Sequence, residues 1–110
     1  MKGVRKPTGV EDEFNTKLSG EIKIYAIPNP FSGNTNVKYT IPMEGEVNLT
    51  VYDIMGSEVY TNTTFTTKGE HSEEINFNLL NVSSGTYMIR VSSQKENGQM
   101  AATVKVAYIK

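Results

Sequence analysis

Ile27-Pro28-Asn29-Pro30-Phe31-Ser32-Gly33-Asn34 decides how the rest of the chain is read. Two prolines one residue apart fix φ at both positions and remove two backbone donors. Each also pushes its predecessor, Ile27 and Asn29, toward extended backbone. A strand ladder arriving from Ile22 must stop here, yet the chain stays extended enough to cross to a new partner. Phe31 supplies one large apolar anchor, and Ser32-Gly33-Asn34 is turn chemistry. Alternation then resumes in Val37, Tyr39 and Ile41. The stretch reads as a strand-to-strand crossover anchored at its middle.

On both sides the apolar period is two. Ile22, Ile24 and Ala26 alternate with Lys23 and Tyr25; Val47, Leu49 and Val51 with Asn48, Thr50 and Tyr52. Ile75, Phe77 and Leu79 alternate with Asn76 and Asn78, and Tyr87, Ile89 and Val91 with Met88, Arg90 and Ser92. Val104 and Val106 continue the pattern near the end. Such short runs, rich in β-branched and aromatic residues, are strands. Glycines at 20, 33, 45, 56, 69, 85 and 98 punctuate them at the spacing of one strand plus one turn. Asn97-Gly98 is a type I′ hairpin signal. The expected strands are 21–27, 35–41, 46–53, 57–61, 72–79, 86–93 and 99–109, the fourth running into the threonine-rich stretch 61–67. Strands with one apolar face each must bury it against a second sheet. The expected fold is therefore all-β, a seven-stranded antiparallel sandwich of immunoglobulin or fibronectin III-like type. Tyr87, opening the penultimate strand after Val82 and Gly85, fits a tyrosine corner whose hydroxyl returns to backbone just upstream.

Residues 1–20 are polar, with Glu11-Asp12-Glu13 as an acidic cluster and only Val10, Phe14 and Leu18 as sizeable apolar side chains. This segment reads as a flexible lead-in to a folded unit over 21–110. The whole chain has 110 residues, 37% hydrophobic and 9% aromatic, a length and composition that suit one folded core. Its formal net charge of -1 lacks the basic excess of a nucleic-acid binder. No apolar run approaches the ~20 residues of a membrane-spanning helix, and the N-terminus shows no signal-peptide core.

Catalytic chemistry has little to work with. Cysteine is absent and His71 is the single histidine, in a stretch that reads as loop before the fifth strand. That inventory cannot build a structural zinc site, and no nucleophile-elbow pattern is present. Glu73 and Glu74 are adjacent on a strand and point to opposite faces. Glu11-Asp12-Glu13 lacks the alternating oxygen ligands of a calcium loop. Asp53 reads as a turn former before Gly56. No catalytic residue, metal site or cofactor is expected. Tyr25, Tyr52, Tyr60 and Tyr108 are the aromatics that a sugar-binding face would use.

Four pieces in one order go beyond generic sandwich patterning. They are Pro28-Asn29-Pro30-Phe31 with Val37-Lys38-Tyr39 after it; Val51-Tyr52-Asp53-Ile54-Met55-Gly56-Ser57-Glu58-Val59; Val82-Ser83-Ser84-Gly85-Thr86-Tyr87; and Lys105-Val106-Ala107-Tyr108-Ile109-Lys110. Together, over about residues 24–110, they resemble the type A C-terminal sorting domain of the Bacteroidetes type IX (Por) secretion system. Val82 stands where that family usually has leucine, and Ala26-Ile27 precede the prolines where a tyrosine is common.

The resemblance implies an export label with no activity of its own. A passenger joined on the N-terminal side would be carried through the outer-membrane translocon to the cell surface. A surface sortase would cut in the lead-in, between about Gly9 and Glu21. On this resemblance the sorting-motif residues are Pro28, Asn29, Pro30, Phe31, Gly56, Gly85, Tyr87, Lys105 and Lys110. Prolines and glycines would act through the fold, and Lys105 and Lys110 from one face of a last strand whose free edge could meet a partner strand. The other reading of the same residues is a fibronectin-like or carbohydrate-binding accessory module of a secreted enzyme.

Overall fold

The alternating runs do form strands. The computed structural model describes residues 22–95 and 98–110. Its strands are β1 (Lys23–Ile27), β2 (Asn34–Ile41), β3 (Gly45–Tyr52), β4 (Glu58–Thr66), β5 (Gly69–Asn76), β6 (Gly85–Lys95) and β7 (Gly98–Tyr108). Every pairing is antiparallel. One sheet has the order β1-β2-β5 and the other β4-β3-β6-β7. A constant-type immunoglobulin domain keeps its fourth strand with the first, second and fifth; here β4 lies beside β3 instead. The lead-in expected over 1–20, its cut site and the turn type at Asn97 lie outside the described residues.

The period of two places one face of each strand between the sheets. Val37, Tyr39 and Ile41 of β2 face Val47, Leu49 and Val51 of β3 and Ile89 and Val91 of β6 in one buried cluster. Fully burying each such side chain is worth ~1.5–3 kcal/mol, so this layer dominates stability.

Two expected strands shift. β4 does not stop near Thr61 but continues to Thr66. Threonine is stiff at χ1 and suits extended backbone, and a sheet margin lets most of these side chains stay in solvent. β5 begins earlier, at Gly69, and ends at Asn76. That places His71 on a strand, where a loop was expected. The alternation Ile75, Phe77, Leu79 breaks because Phe77–Leu79 is a 3₁₀ turn. The Asn76 side chain accepts from Asn78 N at 2.9 Å and starts that turn. Phe77 is therefore wholly buried while Leu79 is 81% exposed.

Candidate functional site

The four motif stretches gather at one end of the sandwich, and the proline crossover closes it. The Asn29 carboxamide lies along the outer side of β7. Its Nδ2 donates to Lys105 O at 3.1 Å, and its Oδ1 accepts from Ala107 N at 3.0 Å. Phe31 continues the ladder: its N–H donates to Ala107 O at 3.0 Å, and Ile109 N donates to Phe31 O at 2.8 Å. Phe31 and Tyr108 thus form a parallel bridge. A side-chain amide has the donor and acceptor of a peptide group, so Asn29 and Phe31 together act as a short extra strand. The peptide bonds before Pro28 and Pro30 are both cis. Pro28 O accepts from Thr35 Oγ1 at 2.8 Å, which ties the crossover back to β2.

Behind this ladder sits an aromatic cluster. Phe31 meets Phe77 edge-on, with ring centroids 4.8 Å apart, and lies 5.4 Å from Tyr108. Phe77 also touches Tyr87 and Tyr108, each at 5.2 Å. Both tyrosine hydroxyls have partners. Tyr87 donates to Ser83 O at 2.6 Å, the return expected of a tyrosine corner, and Tyr108 donates to Asn78 Oδ1 at 2.6 Å. Burial first, then the Asp53 carboxylate and Tyr108, pushes the Tyr87 phenol above its ordinary pKa.

The second motif makes the turn between β3 and β4. Asp53 Oδ1 accepts from Met55 N and Ser57 N, each at 2.9 Å. Gly56 holds φ at +87°, a conformation that costs an L side chain energy. Gly85 opens β6 opposite Tyr108. Beside it, Ser84 Oγ accepts from Lys110 N at 2.7 Å.

The structure therefore brings Asn29, Phe31, Tyr87 and the β7 backbone together and leaves the two lysines outward. Lys105 is exposed on the outer face of the four-stranded sheet. Lys110 lies beyond the end of β7, so the two lysines do not share one strand face. The edge of β7 is also less open than expected, because Asn29 and Phe31 take its outward groups from Lys105 to Ile109. Sequence reading missed Phe77 and Asn78. Their one signal was the Asn76-Phe77-Asn78 turn chemistry inside an apparently alternating run.

The tyrosines proposed for sugar do not form a platform. Tyr108 is buried, Tyr25 lies on the outer face of the three-stranded sheet, and Tyr52 on the four-stranded one. Tyr60 donates to Glu73 Oε2 at 2.6 Å across the β4–β5 margin, where Asn62 Nδ2 reaches both Glu73 oxygens at 3.2 Å. Burial, then the Glu73 hydrogen bond and charge, pushes the Tyr60 phenol up to about 12. An open cleft of about 510 Å³ lies here, lined by Tyr39, Phe65, His71 and Glu73 among others. His71 Nε2 lies 2.7 Å from Thr67 O. Among the described residues no three His, Cys, Asp or Glu side chains are grouped to hold a metal ion. No described helix is long and apolar enough to cross a membrane.

A family model described as the secretion system C-terminal sorting domain matches residues 13–105. No curated protein matches the chain. With the family match spanning most of its length and an all-β sandwich beneath the motifs, the chain belongs to the type IX C-terminal sorting domain family.

Proposed function

We propose that residues 21–110 are the folded part of an address label, read by the type IX translocon on a passenger joined upstream and released by a surface sortase within the lead-in. The passenger then crosses the periplasm and outer membrane to the surface or the medium. One observation supports this most: two of the motif stretches converge on a structural lock, Asn29 and Phe31 against Lys105 to Ile109. Pro28, Asn29, Pro30, Phe31, Gly56, Gly85 and Tyr87 serve the label by holding its shape. Lys105 and Lys110 are the motif residues free to touch the machinery.

Deleting Val104–Lys110 would remove buried Val106 and Tyr108 and unfold the domain, so point variants are the better test. A reporter fused ahead of the 110-residue chain is expressed in a bacterium with a working type IX system. Surface-exposed reporter is expected, and it falls with Lys105→Ala plus Lys110→Ala while the thermal midpoint of the purified fusion stays put. A fusion that remains in the periplasm overturns the label. Undiminished export of the double variant overturns the role of the lysines alone.

A further inference from the structure

The two margins of the sandwich are closed differently. On one, β1 backs onto β7 and the Asn29–Phe31 ladder covers the end of β7. On the other, β4 and β5 are bridged by side chains, Tyr60 and Asn62 reaching Glu73. Among the described residues β3 is the single neighbour of β4, so its far side is a row of unpaired backbone groups.

Which groups these are follows from the alternation of an antiparallel ladder. Lys105, Ala107 and Ile109 direct their backbone groups outward from β7, so the even positions of β7 face β6. Val104 pairs with Ile89, which leaves Arg90 to face Thr50 of β3. Leu49 and Val51 then face Asn62 and Tyr60 of β4. The N–H and C=O groups of Thr61, Thr63 and Phe65 are left pointing away from the sheet, and all three residues are exposed.

Edges are usually defended by charge, proline or a cover. Val59 to Thr67 carries no charge and no proline. It is bounded by Glu58 at one end and Lys68 at the other, both exposed and equally far from Thr63. That symmetry selects the occupant. An antiparallel copy centred on Thr63 sets each Phe65 against Thr61 and brings each Glu58 toward the other copy's Lys68, in the turn just past the end of β4. The same operation on β5, centred on Ser72, would set Glu70 against Glu74, like against like. We propose that the outer edge of β4 is a self-pairing edge, on which a second copy of this chain adds its own β4 antiparallel and joins two four-stranded sheets into one.

Sedimentation equilibrium of the 110-residue chain, from about 10 μM to about 1 mM, tests this. A dimer is expected. Lys68→Glu weakens it about tenfold by turning two attractive end pairs repulsive, and Glu58→Lys combined with Lys68→Glu restores it. Thr63→Pro, which removes an outward N–H and no ladder bond within the sheet, also dissociates it while circular dichroism still reports the strand fold. A chain that stays monomeric throughout overturns the proposal. So does a dimer indifferent to Thr63→Pro and Lys68→Glu, or a double variant as weak as Lys68→Glu.

Discussion

Phe77 and Leu79 stand two positions apart with similar hydropathy, and the fold treats them oppositely. Phe77→Ala empties the centre of the aromatic cluster and is expected to cost about 3–5 kcal/mol. Leu79→Ser, on a side chain largely in solvent, is expected within about 0.5 kcal/mol of the parent. Urea denaturation of the two variants checks both. Tyr60 sets a pH dependence at the same scale. Its phenol is raised from 10.0 to about 12 in the folded chain, so the folded state holds the proton more tightly than the unfolded state does. The resulting stabilisation is fully present below pH 10 and is lost as pH rises through about 12. Tyr39 and Tyr87 are raised as well. Tyr60→Phe should therefore flatten, without abolishing, the fall of the denaturation midpoint between those values.

Among the elements, β2, β3 and β6 could be read directly, because one face of each is buried and the other is not. Val37, Tyr39 and Ile41 announce their strand; Thr61 to Thr66 do not, since a margin strand polar on both faces carries no alternation. β5 misled for another reason. Ile75, Phe77 and Leu79 keep the spacing of a strand, but Asn76 captures the Asn78 amide and turns the backbone before Leu79 can face inward. At the site, the prolines marked the crossover. The partner of Asn29 was invisible, because Lys105 lies 76 positions away and meets it only in the tertiary fold. Amide exchange by NMR probes that contact. The Ala107 and Ile109 amides should be protected and the outward Thr103 amide fast. Asn29→Ala should accelerate Ala107 selectively, at a stability cost of about 1 kcal/mol.

At the scale of the molecule, the order β1-β2-β5 over β4-β3-β6-β7 makes a sandwich fastened through backbone on one margin and through side chains on the other. The turn at Gly56 is expected to tolerate substitution in space but not in backbone. Nothing lies within 4 Å of a Cβ there, yet φ is +87°. Gly56→Ala should lower the urea midpoint by the equivalent of about 1 kcal/mol and leave the m-value unchanged. The fastening itself joins the early crossover to residues 105–109, some eighty positions later in the order of translation. A ribosome that stalls before Lys105, or a message cut short there, yields a polypeptide with Asn29 and Phe31 waiting for a partner that never arrives. A chain made only that far cannot close this margin, so the fold itself separates it from one that extends through Ile109.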